Sequence, residues 1–444
     1  MKKYFGTDGV RGIANEELTA EFAFKIGRAT AYVLEAHAHA FKEILIARDT
    51  RISGEMFESS LTSSLLSMGL NVTLCGIMPT PTLAWLTKKA HTVGLMVSAS
   101  HNPWMHNGIK IFSNGYKLPD LLEEEIESHL DDEFTSKGKP VGRIVRSDML
   151  SAYIEWLSKR YRELKGIRVA FDLANGAAIS TVPYVMREIG IDATIFNAEP
   201  DGININENCG ALHPEFMIQK MRSSVSEYGI IHDGDADRCI MVGKNGNVID
   251  GDDTIVMNAL SMKKEERLKN NCVIGTVMTN FAIEKYLKSM GIEFLRTQVG
   301  DRYVLERMIE TGSVLGGEQS GHVIFLDLET TGDGLLTALE TLRAARILNI
   351  DPESFSQTIQ RYPQLLINVK VDDKVKVMKN EKLLKFIKDI GNDEEMRIIL
   401  RPSGTEPLIR IMVEGKDEQK VKKVAFEAKN IIEEVNEAGK IHKN

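Results

Sequence analysis

Segments with strand-like and helix-like patterns alternate along the first 150 residues of the chain. Predicted strands at residues 43–47, 71–75 and 93–98 are separated by predicted helices at 54–68 and 81–88. Parallel strands need a crossover of a dozen or more residues, which is usually a helix. The order therefore predicts an α/β domain built on a mostly parallel sheet.

The same order of elements recurs twice further along the chain. Predicted strands at 167–173, 193–197 and 229–232 belong to one repeat, and a predicted strand at 272–276 begins another. The last eighty or so residues instead combine predicted strands with one long helix, which is typical of an α+β domain. Because single cores stop growing beyond about 250 to 300 residues, we predict four domains, with limits at residues 1–150, 151–250, 251–363 and 364–444 and a linker near 361–363.

Charge and composition narrow the classes of partner. The formal net charge of −8 at pH 7 argues against nucleic acid, because binding to it rests on a surplus of Lys and Arg facing the phosphates. No apolar run approaches the roughly 20 residues of a membrane span, and the first residues lack the apolar core of a signal peptide. We therefore expect a cytoplasmic chain with no membrane partner, whose four cysteines are buried reduced thiols.

A polar loop follows the strand predicted at 93–98. Residues 97–112, VSASHNPWMHNGIKIF, place Ser100 on this loop, with His101 beside it and Lys110 a short hairpin away. A serine hydrolase would need a base and often a G-x-S-x-G elbow. The elbow is absent, and in an extended chain the His101 side chain would point away from that of Ser100. Phosphoryl transfer asks less of the serine, because positioning and charge neutralisation carry most of the catalysis.

Residues 232–238, HDGDADR, contain three closely spaced carboxylates, Asp233, Asp235 and Asp237. An EF-hand is excluded, because its sixth and twelfth loop positions are here Arg238 and Lys244. The alternative is a solvated acidic turn, but carboxylates at this spacing repel one another unless they are neutralised. A small Mg²⁺ site with open positions for a phosphate fits better, and we predict one here.

Two glycine-rich loops could bind phosphate through backbone N–H groups, hydroxyls and guanidinium groups. Residues 5–12, FGTDGVRG, include Arg11, and residues 400–410, LRPSGTEPLIR, place Ser403 between two arginines. Neither has the ending of a Walker A loop, so nucleotide hydrolysis is not indicated. Ordinary turn chemistry remains the alternative for both loops.

A third loop, residues 316–322 (GGEQSGH), brings together side chains suited to hydrogen bonding with sugar hydroxyls: Glu318, Ser320 and His322. A tight turn between strands is the alternative interpretation. Two further charged groups are interpreted as structural. Arg48 and Arg51 could bind an anion, but we favour a supporting role near the next helix, and the acidic run at 121–127 is predicted to be the solvated face of a helix.

The motifs FGTDGVRG, SASHNP, DGDADR, GEQSGH and RPSGTEP, in this order and spacing, resemble those of the α-D-phosphohexomutase family over essentially the whole chain. The resemblance implies three similar α/β domains with mixed sheets and a C-terminal α+β domain around a central cleft. It also implies that Ser100 is carried as a phosphoserine, whose phosphate holds Mg²⁺ together with Asp233, Asp235 and Asp237.

The resemblance further assigns roles to the other candidate residues. His101 and Lys110 would perform acid–base work, for which Lys110 would need a lowered pKa, and Arg11 would stabilise the transferring phosphoryl group. The residues near the sugar would be Glu318, Ser320, His322, Asp301, Arg302 and Arg238. The non-reacting phosphate would be bound by Arg401, Ser403, Gly404, Thr405 and Arg410.

Within the family, FGTDGVRG, residues 200–213 (PDGININENCGALH) and Gln319 resemble the members that act on amino sugars. This implies interconversion of glucosamine 6-phosphate and glucosamine 1-phosphate through glucosamine 1,6-bisphosphate, supplying UDP-N-acetylglucosamine for cell-wall precursors, and a possible homodimer. Three alternatives stay open: the same chemistry on glucose or mannose phosphates, a catalytically silent sugar-phosphate binding protein, and a phosphatase.

Overall fold

The computed structural model describes residues 3–6, 8–37, 43–134, 138, 140–391, 393–403 and 407–441, the side chains of 438–441 excepted. Two compact units are present. The first comprises Met1–Thr276 and Phe294–Ser356, and the second comprises Val277–Glu293 and Gln357–Asn444. In the described part of the chain, no helix combines the length and the apolarity needed to span a membrane.

The first sheet of the larger unit carries the serine loop. Its strands and helices in chain order are β1 (Phe5–Gly6), β2 (Gly9–Ile13), α1 (Ala20–Ala36), β3 (Glu43–Arg48), α2 (Gly54–Ser67), β4 (Asn71–Ile77), α3 (Thr80–Ala90), β5 (Val93–Val97), β6 (His106–Ser113), β7 (Tyr116–Lys117), α4 (Asp120–Ser128) and β8 (Ile144–Val145). The strand order is β1-β2-β6-β5-β3-β4-β8, and β7 pairs with β6.

The pairing in this sheet explains how it positions the loop. β3 is parallel to β4 and β5, as the alternating pattern predicts. β6 runs antiparallel to β5 and to β2, because the chain returns directly after the serine loop without a crossover helix. All residues of β5 are buried, so both faces of the strand are covered and the loop begins from a rigid edge.

The second sheet carries the aspartate loop. Its elements are α5 (Leu150–Arg160), β9 (Arg168–Asp172), α6 (Val182–Ile189), β10 (Asp192–Phe196), α7 (Pro214–Met221), β11 (Tyr228–Ile231), β12 (Ile240–Val242) and β13 (Val248–Ile249). The order is β10-β9-β11-β12-β13, with the first three strands parallel. Residues 214–227 have a helical pattern, but α7 already ends at Met221. Beyond it, the Ser224 hydroxyl accepts a hydrogen bond from the Ser226 N–H, a local turn that competes with the helix.

The third sheet has the order β15-β14-β16-β17. Its segment contains α8 (Gly251–Lys264), β14 (Cys272–Thr276), α9 (Phe281–Ser289), β15 (Glu293–Thr297), α10 (Asp301–Thr311), β16 (Leu315–Gly317), β17 (Val323–Phe325), α11 (Gly334–Leu348) and α12 (Pro352–Ser356). The turn between β16 and β17 is the predicted sugar loop.

The fourth sheet lies in the smaller unit and is antiparallel, with the order β18-β20-β19. Its segment contains β18 (Gln364–Lys370), α13 (Lys374–Met378), α14 (Glu381–Gly391), β19 (Met396–Pro402), β20 (Leu408–Gly415) and α15 (Glu418–Ile441). An apolar core that includes Ile411 and Ala428 packs the sheet against α15. The predicted fold class, mixed α/β sheets followed by an α+β segment, is confirmed.

Candidate active site

The serine loop has an unusual backbone at its central residue. Ser100 follows β5, is 2% exposed and has φ +52°, a left-handed conformation that costs a non-glycine residue about 1 to 2 kcal/mol. This turn brings its Oγ to 3.2 Å from His101 Nδ1 and lets it donate to Asp233 Oδ2 at 2.6 Å. The expectation that His101 points away from Ser100 is therefore wrong, because the chain is not extended here.

Two side chains from distant segments hold this loop through its carbonyl groups. The buried Arg51 guanidinium donates to the carbonyl oxygens of Ser100 and Asn102 at 2.8 Å each and to that of His106 at 3.0 Å. Asn206, within the motif at 200–213, donates to the carbonyl oxygens of Ser100 and Asn102 at 3.0 and 3.1 Å. Arg51 thus has the predicted supporting role, exerted on the serine loop.

The aspartate loop connects β11 to β12 and meets the serine loop closely. Asp233, Asp235 and Asp237 are buried, and one carboxylate oxygen of each lies within 4.8 Å of the others. A β-carbon at Gly234 would lie 2.6 Å from the Ser100 carbonyl oxygen, so this approach of the two loops requires glycine. The predicted convergence of the three carboxylates is confirmed.

The electrostatics of the three aspartates fit a divalent cation. Burial and the negative charge of Asp235 raise the pKa of Asp233 to about 6. Burial and the negative charges of Asp235 and Asp233 raise the pKa of Asp237 to about 8. Within the described ranges, Asp235 Oδ1 and Asp237 Oδ1 are buried without a hydrogen-bond partner. Mg²⁺ binds such hard oxygen ligands, and its charge would remove their mutual repulsion.

Lys110 lies among carboxylates. Its Nζ is 2.9 Å from Asp235 Oδ2, 3.0 Å from Asp8 Oδ2 and 3.9 Å from Asp237 Oδ2. Burial alone would lower the pKa of Lys110, but these three carboxylates outweigh it and raise the pKa above the ordinary value of a lysine. The lowered pKa that acid–base work would need at Lys110 is therefore not found here.

His101 has the opposite environment. Burial, followed by the charges of Arg238 and Arg11, lowers the pKa of His101 to about 4. These cations therefore act on the imidazole beside Ser100, whereas carboxylates surround the Lys110 ammonium.

A cavity of about 460 Å³ opens in front of the serine and aspartate loops. It brings together predicted residues from all three α/β segments, and its polar lining consists of Asp8, Arg11, Ser100, Asp237, Arg238, Asp301, Glu318 and His322. Cavities of this size hold small-molecule ligands.

The loop between β16 and β17 is both a tight turn and part of this cavity. The Gly321 N–H donates to the Glu318 carbonyl at 3.0 Å and closes the turn, in which Ser320 is half-buried. Glu318 Oε1 accepts the Gly300 N–H at 3.1 Å. His322 is 4% exposed, and its Nε2 lies 3.7 Å from Asp301 Oδ2.

The structure adds two residues that sequence reasoning missed, Asp8 and Lys117. Asp8 Oδ2 accepts from Arg11 and forms an ion pair with Lys110. Asp8 Oδ1 accepts from Lys117, which also donates to Asp301. Burial would raise the pKa of Asp8, but Lys110, Lys117 and Arg11 hold it well below its ordinary value. Asp8 belongs to the motif FGTDGVRG and could have been considered, whereas no pattern marks Lys117.

Arg302 is turned away from the side chains around His322. Its Nη2 donates to both carboxylate oxygens of Glu123 at 3.0 Å and to the Leu118 carbonyl at 3.2 Å. Glu123 is 2% exposed, so the prediction that the acidic run at 121–127 is solvated is wrong at this position. The buried guanidinium supplies the partner that a buried carboxylate requires.

In the smaller unit, Arg401 on β19 lies directly opposite Arg410 on β20. Both are exposed, whereas Ser403 is 6% exposed. Like charges directly opposite on a ladder repel each other, and an anion bound to both would relieve this. Gly404 and Thr405, also predicted to bind phosphate, lie outside the described residues.

Models of the phosphoglucomutase/phosphomannomutase domains match the chain in order: α/β/α domain I at residues 2–137, domain II at 151–246, domain III at 250–365 and the C-terminal domain at 366–431. The chain belongs to this family.

Two relatives within the family are similar to the chain over nearly its whole length. The chain is 44% identical over 446 residues to phosphoglucosamine mutase of Acetivibrio thermocellus, covering 98% of this chain and 99% of the relative. It is 46% identical over 449 residues to phosphoglucosamine mutase of Carboxydothermus hydrogenoformans, covering 98% and 100%.

Solved structures agree in fold. A phosphoglucomutase/phosphomannomutase family protein from Burkholderia thailandensis superposes with a TM-score of 0.80 at 22% identity, covering 97% of each chain. N-acetylphosphoglucosamine mutase of Aspergillus fumigatus, solved with GlcNAc-6P and magnesium, has a TM-score of 0.64 at 16% identity, covering 93% of this chain and 96% of that one.

Proposed function

We propose that this chain is a phosphoglucosamine mutase that interconverts glucosamine 6-phosphate and glucosamine 1-phosphate. The observation that carries the proposal is the contact of Ser100 Oγ with Asp233 at 2.6 Å, beside two further buried aspartates and at the edge of a cavity. A phosphate carried on this serine would face a cation site directly. The relatives at 44% and 46% identity support the amino sugar as the substrate.

The reaction consists of two phosphoryl transfers. In the first, a sugar hydroxyl attacks the phosphorus of phosphoserine 100 and gives its proton to a base. The bond from phosphorus to Oγ breaks, and an acid protonates Oγ so that the Ser100 hydroxyl is re-formed. The product is glucosamine 1,6-bisphosphate. The bisphosphate then turns over so that its other phosphate faces Ser100. In the second transfer, Ser100 Oγ attacks this phosphorus and gives its proton to a base, the bond from phosphorus to the sugar oxygen breaks, and that oxygen is protonated as the sugar monophosphate leaves.

The residues around Ser100 divide this work by position. His101 Nδ1, 3.2 Å from Oγ, and Lys110 are the candidates for proton transfer at the reacting oxygens. Arg11 lines the same cavity, where its guanidinium would stabilise charge on the transferring group. Asp233, Asp235 and Asp237, with the phosphoserine, would hold Mg²⁺, whose charge neutralises phosphoryl oxygens when it is bound.

Substrate binding is assigned to two sets of residues. The proposed residues near the sugar are Glu318, Ser320, His322, Asp301, Arg238 and Arg302. Because Arg302 is paired with Glu123, we expect its contribution to sugar binding to be indirect. In the smaller unit, the exposed guanidinium groups would bind the phosphate that is not reacting, as part of a set comprising Arg401, Ser403, Gly404, Thr405 and Arg410.

The proposal extends to the setting of the reaction. It includes Mg²⁺ as cofactor, glucosamine 1,6-bisphosphate as intermediate and activator, a cytoplasmic location, a homodimer and no nucleic-acid partner. The glucosamine 1-phosphate formed would supply the synthesis of UDP-N-acetylglucosamine and cell-wall precursors. We also propose that the chain has four domains, at residues 1–150, 151–250, 251–363 and 364–444.

The test is phosphorus NMR of glucosamine 6-phosphate incubated with the protein, Mg²⁺ and a trace of the 1,6-bisphosphate. We expect a glucosamine 1-phosphate signal to grow while inorganic phosphate stays constant. Conversion of glucose or mannose phosphate with a kcat/KM more than tenfold higher would correct the substrate, and release of inorganic phosphate as the main product would replace the mutase by a phosphatase.

A further inference from the structure

Thr80, at the beginning of α3, makes two hydrogen bonds to a single residue of the aspartate loop. Its Oγ1 donates to Asp235 Oδ2 at 2.6 Å, and its N–H donates to the Asp235 carbonyl oxygen at 3.0 Å. Thr80 is 1% exposed, and prolines occupy the positions on both sides of it. The start of a helix in the first α/β segment therefore holds both the main chain and the side chain of a residue in the second.

The hydrogen bond from Thr80 makes the two carboxylate oxygens of Asp235 unequal. Oδ2 accepts from the Thr80 hydroxyl and also from Lys110 Nζ at 2.9 Å. Oδ1 is buried and, among the residues that the structure describes, has no hydrogen-bond donor. Two donors on Oδ2 fix the rotation of the carboxylate, so that Oδ1 is the oxygen left for a ligand.

We infer that Thr80 is a positioning residue for the cation at the three aspartates: its hydroxyl orients the Asp235 carboxylate so that Oδ1 can bind the metal. This inference rests on the Mg²⁺ site of the proposed function. Thr80 would not touch the metal. Partners that orient metal-binding carboxylates affect affinity strongly, and their removal typically lowers it about 10- to 100-fold.

The chain offers matched variants for a test. Thr80→Val keeps the shape of the side chain and removes the hydroxyl, whereas Thr80→Ser keeps the hydroxyl. Thr30→Val is the control for the same atom exchange, because Thr30 is a fully buried residue of α1 whose Oγ1 has no hydrogen-bond partner within the described ranges. Thermal unfolding followed by circular dichroism in EDTA verifies that each full-length variant is folded.

The measurement is direct binding of MnCl₂ by electron paramagnetic resonance and of MgCl₂ by calorimetry, with the full chain stripped of metal. We expect Thr80→Val to bind both ions about 10- to 100-fold more weakly than the wild type, and Thr80→Ser and Thr30→Val to stay within about threefold of it. Rescue by serine distinguishes an oriented carboxylate from lost packing.

Two results would overturn the inference while leaving the proposed function intact. One is a folded Thr80→Val protein with wild-type affinity for both ions. The other is a Thr80→Ser protein that loses as much affinity as Thr80→Val although it keeps the hydroxyl, because the loss would then come from disturbed packing at residue 80 and not from the missing hydrogen bond. A wild-type chain that binds neither ion would instead refute the metal site of the proposed function, and this inference with it.

Discussion

The proposed catalytic centre around Ser100 and strands β19 and β20 of the smaller unit, which we propose to bind phosphate, differ in the burial of their charged side chains. Around Ser100, each cation already has a carboxylate partner: Lys110 contacts Asp8 and Asp235, and Lys117 contacts Asp8 and Asp301. On β19 and β20, exposed Arg401 and Arg410 lie opposite each other.

The difference indicates a division of labour between the two regions. Buried and mutually paired charges keep their orientation without a ligand, which suits a centre that must stabilise a transition state. Exposed arginines gain most when an anion arrives, which suits binding. The comparison predicts that removal of a paired charge in the first region affects both catalysis and folding, whereas removal of an exposed arginine in the second affects affinity alone.

The largest expected effect is that of Ser100→Ala. Without the oxygen that carries the phosphoryl group, turnover should fall by more than about 10⁴-fold. The free energy of unfolding should change by only about 1 kcal/mol, since one hydrogen bond to Asp233 is lost. Phosphorus NMR and urea unfolding measure the two quantities. Substantial turnover by a well-folded variant would remove Ser100 from the mechanism.

Lys117→Met should produce the largest loss of stability. The variant leaves Asp8 and Asp301 largely buried without their shared cation, and breaking a buried pair costs about 3 to 5 kcal/mol. The control is Lys25→Met, because the Lys25 and Asp131 side chains are 49% and 91% exposed and such a surface pair contributes below about 1 kcal/mol. Equal losses in urea unfolding for the two variants would contradict the claim that the buried, paired charges around Ser100 stabilise the fold.

Glu329 is a buried carboxylate whose Oε2 has no hydrogen-bond partner among the described residues. Burial raises its pKa to about 7, from an ordinary value of 4.5. The folded state therefore binds the proton more tightly than the unfolded state, so stability should fall as the pH rises from about 5 to 8, by on the order of 2 kcal/mol. Glu329→Gln should remove this part of the pH dependence in urea unfolding. An unchanged pH profile would show that the carboxylate is solvated.

The smallest expected effect is that of Arg401→Gln. The loss of one charge-assisted hydrogen bond to phosphate should raise KM by about tenfold, equivalent to about 1.4 kcal/mol. Stability should stay constant or rise slightly, because the repulsion with Arg410 is removed. A kcat loss without a change in KM would place Arg401 with the catalytic residues instead.

The sequence predicts the parts of the site that are local. Ser100 and the three aspartates stand in short segments after strands, and the positions of those strands follow from short apolar runs that end at polar loops. The orientation of His101 could not be predicted, because it depends on a left-handed φ at Ser100 that Arg51 and Asn206 stabilise from distant segments.

Properties that depend on tertiary neighbours were also out of reach. The raised pKa of Lys110 requires Asp8 and Asp235, and the burial of Glu123 requires Arg302 from α10. Lys117 lies on β7, the second strand of a short hairpin, where no sequence pattern distinguishes it from a surface lysine. Each of these features arises when side chains far apart in sequence meet in a dry environment, where a charge must find a partner.

The central claim is that Ser100 carries the phosphoryl group, and peptide mass spectrometry tests it most directly. Dephosphorylated protein is incubated with glucosamine 1,6-bisphosphate and Mg²⁺, quenched and digested. We predict one phosphoryl group on the peptide containing Ser100. When this group is isotopically labelled and the free bisphosphate has been removed, added glucosamine 6-phosphate should take up the label within a single turnover, while Ser100 regains an unlabelled group from the substrate. A protein that converts the substrate while Ser100 stays unmodified, or that carries the group on another residue, would contradict the account.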